Sequence, residues 1–67
     1  MDEREKIGKR IAQIRQSKGI SQSQLGETAG ISKKHIERIE LGLYDVRFSL
    51  ISKIANALEC SLDDLVK

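Results

Sequence analysis

Several kinds of residue and segment are missing from this chain of 67 residues. A single cysteine, Cys60, excludes an internal disulfide and fits a reducing compartment, and a single histidine excludes a clustered metal site. No apolar run approaches the roughly 18 residues of a membrane span, and the N-terminal MDEREK does not resemble a signal peptide. Proline is absent, as are linkers, repeats and low-complexity tracts. We therefore expect one cytoplasmic domain over residues 1–67, with no membrane contact and no cofactor.

The size of the chain and the distribution of its charges narrow the range of possible functions. A core of this size does not enclose a buried active site with its supporting residues, and the chain has no acid–base pair and no nucleophile beside a base, so an enzyme is not expected. The net charge is only +2. Ten basic against seven acidic residues give residues 1–47 a charge of +3, whereas two against three give residues 48–67 a charge of −1. The first 47 residues are therefore expected to carry the electrostatic face.

Apolar residues recur at helical spacing and no alternating strand pattern occurs, which predicts an all-α fold. The predicted helices cover about residues 3–18, 22–29, 33–41 and 48–58, followed by a short fifth helix capped by Ser61. Helix one carries its apolar stripe on Ile7, Ile11 and Ile14. Helix four is expected to bury Phe48, Ile51, Ile54, Ala55 and Leu58.

The segment 22–41 meets the requirements of two short helices packed around a glycine turn. Gly26 stands where the helices approach most closely, and Gly30 stands at the turn, where a positive φ is expected. Ser21 and Ser32 each precede a helical run as N-caps do. The positions that must be apolar are Leu25, Ala29, Ile31, Ile36 and Ile39. This pattern predicts a helix-turn-helix, which places its second helix in a DNA groove.

Three elements, SQSQLGETAGIS, HIERIELG and ISKIANALECSLDDL, resemble the phage-repressor and Cro-type helix-turn-helix family, also called the XRE family. The resemblance covers about residues 7–66. It implies a five-helix bundle whose third helix lies in the major groove. It also implies a transcriptional regulator that binds near-palindromic operators as a homodimer, so double-stranded DNA and a second copy are the expected partners.

Helix three presents one exposed face opposite Ile36 and Ile39. Its four predicted base-contacting residues are Lys33, Lys34, Glu37 and Arg38. Lysine and arginine pair with guanine O6 and N7, and glutamate accepts from cytosine N4. The alternative is an ordinary solvated mixture of charges on a helix surface.

Gln22 resembles the family's phosphate-contacting glutamine. Its amide and the unpaired backbone N–H groups at the start of helix two are expected to point outward, toward an anion. The predicted phosphate contacts are Gln22, Ser32, His35, Arg10, Tyr44 and Arg47. The alternatives are a solvent-tolerant helix start for Gln22, an unpartnered surface histidine for His35, and a charged outer helix face for Arg10.

Arg15 and Glu40 resemble a pair that forms a buried ion pair between helices one and three in several relatives. Each follows an apolar core position, Ile14 or Ile39, so both are placed at the edge of the core. Their predicted role is structural. Loss of one member would leave the other charge stranded, at a cost of roughly 3 to 5 kcal/mol.

The short fifth helix and the turn before it are predicted to form the dimer interface, because a small core leaves their apolar side chains partly uncovered. The interface residues would be Cys60, Leu62, Leu65 and Val66. Two-fold pairing there would set the recognition helices about 34 Å apart. No effector domain and no small-molecule ligand are expected, so regulation would follow concentration and dimerisation.

The chain departs from the family pattern after Gly42, where the loop reads LYDVR. Leu43 and Tyr44 replace residues that are usually basic. Arg47 replaces the usual serine cap, so helix four is either capped by Asp45 or frays. Glu59 replaces a usual glycine, which would cost up to about 1 kcal/mol if its backbone is left-handed. These departures keep open a second function, a protein-interaction module such as an antitoxin or a helix-turn-helix adaptor.

Overall fold

The computed structural model describes residues 2–66 and arranges them in five helices without a strand. The helices are α1 (Glu3–Ser17), α2 (Gln22–Ala29), α3 (Lys33–Glu40), α4 (Phe48–Leu58) and α5 (Leu62–Val66). The predicted all-α class is confirmed. The predicted ends of helices one and three each lie one residue beyond the ends in the structure. None of the helices within residues 2–66 is long and apolar enough to cross a lipid bilayer.

Reciprocal hydrogen bonds fix where α1 and α2 begin. The Asp2 carboxylate accepts from the Glu5 N–H at 3.0 Å, and the Glu5 side chain accepts from the Asp2 N–H. Ser21 and Gln24 form the same capping box at the start of α2, with the Ser21 hydroxyl oxygen 3.0 Å from the Gln24 nitrogen. Each box satisfies backbone N–H groups that would otherwise lack a partner at a helix start.

The core lies between all five helices. Its buried apolar members are Ile11, Leu25, Ile36, Ile39, Ile51, Ile54, Ala55, Leu58 and Leu65. α1 packs against α3 and α5, α2 packs against α3 and α4, and α4 packs against α5. The third helix is therefore held on one side by α1 and on the other by α2.

Two glycines let helices approach α3 closely. A Cβ at Gly26 would overlap the carbonyl oxygen of Ile31, which confirms the predicted close approach. A Cβ at Gly8 would overlap the carbonyl oxygen of Ile39 and reach 3.0 Å from that of Glu40. The sequence analysis missed Gly8. Its signal was a glycine inside a helix, a position where glycine costs about 1 kcal/mol relative to alanine and therefore needs a packing reason.

The prediction that Phe48 is buried was wrong, because its side chain is 74% exposed. Phe48 is the first residue of α4. The apolar stripe of this helix becomes buried only from Ile51 onward. Val46 and Leu50, which are half-buried, pack against the core at this end instead. Asp45 does not cap α4. The cap position is Arg47, which makes no side-chain capping bond.

Candidate nucleic-acid interface

The turn between α2 and α3 sets the direction of the third helix. Gly30 ends α2 in the left-handed region at φ 73° and ψ 32°, as predicted, and the Ile31 N–H donates to the Gly26 carbonyl at 2.8 Å. Ser32 then caps α3, because its hydroxyl accepts from the His35 N–H at 3.1 Å. The Ser32 hydroxyl, predicted to contact phosphate, is thus engaged in the protein as a cap.

The exposed side of α3 presents a cationic surface, with Lys33 and Lys34 in the first turn and Arg38 in the last. Lys33, Lys34 and Arg38 are exposed, while Ile36 and Ile39 on the other side are fully buried. Glu37 is half-buried, and its carboxylate lies 4.0 Å from the ammonium of Lys33. The structure therefore brings the four predicted base-contacting residues to one side of α3. An exposed pair at this distance contributes little to stability, which leaves both side chains available.

The chain folds back beside α3 after it ends. The Gly42 N–H donates to the Ile39 carbonyl and the Leu43 N–H to the Arg38 carbonyl, both at 3.0 Å, with Gly42 at φ 79°. This pair of bonds is a Schellman motif. It returns Tyr44 to the surface of α3.

Tyr44 contacts two α3 residues. Its ring centroid lies 4.8 Å from that of His35 at an angle of 59°, and its hydroxyl accepts a hydrogen bond from Nη1 of Arg38 at 3.3 Å. His35 and Arg38 are neighbours on the helix because they are three residues apart. Tyr44 and His35 were predicted separately as phosphate contacts. The structure instead places them in one group with Arg38.

A polar network joins three helices beneath this surface. Arg15 of α1 meets Glu40 of α3 through Nε to Oε2 at 2.7 Å and Nη2 to Oε1 at 3.1 Å, and its Nη1 donates to the Ile20 carbonyl. The exposed fractions of the Arg15 and Glu40 side chains are only 11% and 7%. Nε2 of Gln22 donates to Oε1 of Glu40 at 2.9 Å. The Gln22 amide, expected to point outward, is thus turned inward at the start of α2.

Two predicted phosphate contacts lie outside this surface group. Arg10 donates from Nε to the backbone carbonyl of Asp64 at 2.8 Å, so its guanidinium is attached to α5. Arg47 is exposed at the start of α4. Both side chains are exposed, and their contact with phosphate stays a prediction.

A family model described as helix-turn-helix, HTH_3, matches residues 11–65. The chain belongs to this helix-turn-helix family. The resemblance inferred from the motifs is therefore confirmed. The HTH_3 match includes the turn, the cationic surface and all three helical members of the polar network, Arg15, Gln22 and Glu40.

Named relatives of this HTH_3 chain are transcriptional regulators. The HTH-type transcriptional regulator SinR of Bacillus subtilis is 36% identical over 61 residues, which cover 90% of this chain and 55% of SinR. The chain thus spans about half the length of that relative. A solved structure of SinR, the master regulator for biofilm formation, in complex with DNA matches with a TM-score of 0.85 and 35% identity, and the match covers 91% of this chain and 98% of that one.

A second solved structure is the restriction-modification controller protein C.AhdI from Aeromonas hydrophila. It matches with a TM-score of 0.88 and 31% identity, and the match covers 91% of this chain and 88% of that chain. Both structural matches exceed 30% identity, so they support a relationship in sequence as well as a shared fold.

The residues predicted to form the dimer interface lie in α5 and the turn before it, and the structure divides them into two groups. Leu65 is 1% exposed and belongs to the core, so its assignment to the dimer interface was wrong. Cys60 and Leu62 are half-buried against that core, and Val66 is 45% exposed.

Burial raises the pKa of the Cys60 thiol, and the charge of Asp64 adds to this effect. A thiol with a raised pKa is a poor nucleophile, in agreement with an apolar role.

Within residues 2–66, no three His, Cys, Asp or Glu side chains are grouped as metal ligands would be. Every buried side-chain nitrogen and oxygen of those residues also has a hydrogen-bond partner.

Proposed function

We propose that this chain is a sequence-specific, DNA-binding transcriptional regulator that acts as a homodimer on a near-palindromic operator, with α3 in the major groove. The observation that carries the proposal is the cationic surface of Lys33, Lys34 and Arg38 on a helix whose other side is fully buried. Lys33 and Lys34 lie in the first turn of α3, the part of a recognition helix that contacts base edges, and Arg38 lies on the exposed side of the last turn. The fold also matches that of SinR, which was solved in complex with DNA.

The packing around α3 supports this function. α1 and α2 hold the helix from two sides, and the Arg15–Glu40 ion pair fixes its last turn. Base recognition needs side chains that are already positioned on a rigid element. Lys33, Lys34, Glu37 and Arg38 are the proposed base contacts, whereas Gln22, Ser32, His35, Tyr44 and Arg47 are proposed to lie near the phosphates.

Gln22 can still reach a phosphate from its observed position. One hydrogen of its Nε2 is used by Glu40, and the second remains for an acceptor outside the protein. The backbone N–H groups at the start of α2 lie beside it and favour an anion. Glu40 would then hold the amide in place, which links the ion pair in the core to the DNA surface.

The proposed dimer forms through Cys60, Leu62 and Val66. These side chains are partly exposed, although α5 contributes Leu65 to the core. The described residues extend 27 by 22 by 21 Å, so two copies paired about a two-fold axis can present their α3 helices about one DNA turn apart, roughly 34 Å. Burial of Val66 in such an interface would also remove an exposed apolar side chain from water.

Selection of DNA sites from a random duplex pool tests the proposal. The full chain should enrich two half-sites related by dyad symmetry, with centres about 10 base pairs apart. The matched control carries Lys33→Ala, Lys34→Ala and Arg38→Ala, whose exposed positions should leave folding intact. Enrichment of no sequence by the wild-type chain, or the same sequence from the triple variant, would contradict the proposal.

Sedimentation tests the dimer separately. Val66→Asp should shift the wild-type dimer toward monomer, because it places a charge in the proposed interface. Leu43→Asp is the matched control, since Leu43 is also an exposed apolar residue but lies on the α3–α4 loop. A monomeric wild type at high micromolar concentration, with and without the selected DNA, would refute the homodimer.

A second candidate function is a protein-interaction module. The exposed apolar side chains of Leu41, Leu43 and Phe48 favour it, because they lie near one another in the chain around the α3–α4 loop. Leu43 is 63% exposed, and Leu41 and Phe48 are more exposed still. The selection experiment separates the two functions, since an adaptor would enrich no DNA sequence.

A further inference from the structure

Tyr44 forms contacts on the third helix that the family resemblance did not predict. Its ring packs on His35 at 4.8 Å, and its hydroxyl oxygen lies 3.3 Å from Nη1 of Arg38. An arginine on a helix surface otherwise samples many rotamers, and holding it in one of them for DNA costs conformational entropy on binding. A contact that restricts the side chain beforehand reduces that cost.

The loop that carries Tyr44 is itself restrained at Gly42. Gly42 lies so close to α1 that a Cβ there would be 2.9 Å from the Cα of Glu5. Beyond Tyr44, the exposed Asp45 carboxylate lies 3.7 Å from Nε of Arg4, a surface pair that adds little. The packing of Gly42 on α1 and the Schellman motif there hold the phenol beside α3.

The hydrogen bond to Tyr44 leaves the Nε–Nη2 edge of the Arg38 guanidinium available for a base. Tyr44 occupies Nη1, while the edge formed by Nε and Nη2 has no hydrogen-bond partner among residues 2–66. Arg15 uses this same edge for its two bonds to Glu40 and gives Nη1 to a carbonyl. A bidentate contact with guanine O6 and N7 requires two such parallel N–H groups. Arg38 can therefore keep its bond to Tyr44 through Nη1 while its Nε–Nη2 edge contacts guanine.

We propose that Tyr44 is a specificity-determining positioning residue: it holds Arg38 through its hydroxyl, and the Nε–Nη2 edge of Arg38 then reads guanine. This inference rests on the proposed function. Tyr44 acts through Arg38 and does not itself contact a base. His35 supports the ring of Tyr44 and completes the group.

The test compares Tyr44→Phe with the wild-type chain. Phenylalanine keeps the ring on His35 and removes only the hydroxyl. The ratio of the dissociation constant for the site with the Arg38 guanine replaced to that for the selected site should fall about two- to tenfold, which corresponds to one net hydrogen bond. Thermal unfolding should be unchanged. In the Arg38→Ala background, Tyr44→Phe should have no effect on this ratio.

A measurement without DNA completes the test. The order parameter of the Arg38 Nε–H bond, obtained by ¹⁵N relaxation on the free protein, should fall in Tyr44→Phe. An unchanged order parameter together with an unchanged preference for guanine would overturn the proposal. So would an equal loss of affinity for all sequences that persists in Arg38→Ala, because Tyr44 would then bind phosphate directly. A wild-type chain that selects no sequence would instead refute the proposed function, and the NMR result would still decide whether Tyr44 holds Arg38.

Discussion

The guanidinium of Arg15 meets the carboxylate of Glu40 side-on, with Nε 2.7 Å from Oε2 and Nη2 3.1 Å from Oε1. Two parallel bonds between charged groups are stronger than a single one and fix the relative orientation of the side chains. The pair joins α1 to the last turn of α3, and the carboxylate also accepts from Gln22 of α2. One buried carboxylate therefore sets the positions of three helices relative to one another.

Removal of Arg15 alone should be strongly destabilising. Arg15→Met leaves the Glu40 carboxylate buried with only Gln22 as a partner, and the free energy of unfolding should fall by about 3 to 5 kcal/mol. Arg15→Met combined with Glu40→Leu should recover much of this loss, because no buried charge remains. Urea unfolding of the wild type, both single variants and the double variant gives the comparison. Equal stability of Arg15→Met and the wild type would contradict the structural role.

The sequence predicted the helices well because their signals are local. Caps such as Ser21 and Ser32 and the turn at Gly30 depend on neighbours within a few residues, and each has the predicted conformation in the structure. Phe48 and Leu65 were assigned wrongly for the opposite reason. Whether the end of an apolar stripe is covered depends on which helix packs over it, and that is a property of the tertiary fold.

Part of the candidate site could likewise be predicted from the sequence, and part of it depends on the tertiary fold. The exposed side of α3 follows from helical spacing, so the grouping of Lys33, Lys34 and Arg38 was predictable. The contact of Tyr44 with Arg38 was not, since it depends on how the chain turns after Gly42 and on where α1 holds the loop. A positive φ at Gly42 can be inferred from a glycine after a helix, but the direction in which the next side chain points cannot.

Gly8→Ala should destabilise the fold although alanine is the better helix former. The new methyl group would overlap backbone carbonyls of α3, which cannot move aside as a flexible side chain can. The overlap should outweigh the helix-propensity gain of about 1 kcal/mol and leave a net loss of about 1 to 3 kcal/mol. Gln13→Ala, on the exposed side of the same helix, is the control and should be near neutral. Equal midpoints of denaturation for both variants would show that α1 and α3 are less closely packed.

Glu59→Gly should stabilise the fold. Glu59 ends α4 in the left-handed region at φ 56° and ψ 44°, which costs a residue with a Cβ about 1 kcal/mol. Part of the gain is offset because glycine makes the unfolded chain more flexible, so the expected increase is about 0.5 kcal/mol. Lys18→Gly is the matched control at the end of α1, where φ is −93° and glycine should only destabilise. Thermal unfolding that shows the same sign for both changes would contradict this explanation.

The cap at Asp2 predicts a pH dependence. The Glu5 N–H, helped by the charge of Arg4, holds the pKa of the Asp2 carboxyl below its ordinary value of 3.8. Because the folded pKa lies below the unfolded one, the stabilisation is fully present above the unfolded pKa and is lost as the pH falls through the folded pKa. Asp2→Asn keeps an acceptor that does not titrate. The wild type should therefore lose stability relative to Asp2→Asn as the pH falls through 3.8 and below, as followed by melting temperature. A constant difference over this range would show that the carboxylate is not the cap in solution.

Arg38 and Gln22 should differ in what they contribute to DNA binding, because Arg38 lies on the exposed side of α3 and Gln22 at the start of α2. Arg38→Ala should relax the preference at one base position at a cost of about 1 to 3 kcal/mol, whereas Gln22→Ala should weaken binding to all sequences alike. Gln22 is neutral, so its loss should barely change the salt dependence, while the loss of a charged phosphate contact would lower the slope by about 0.9. Lys53→Ala, an exposed charge on α4, is the control and should leave the selected sequence unchanged.

Site selection and salt titration of these three variants and of the triple variant Lys33→Ala, Lys34→Ala and Arg38→Ala, measured side by side, separate affinity from specificity. If alanine at Arg38 and at both lysines of α3 leaves the selected sequence unchanged, α3 does not read the bases. The apolar surface around Leu43 and Phe48 would then become the better candidate for the main interaction, and the protein-interaction module would replace the regulator as the leading function. If the preference changes only at the Arg38 position, the cationic surface of α3 is the reading surface. Gln22, held by Glu40, then adds affinity without selecting a sequence.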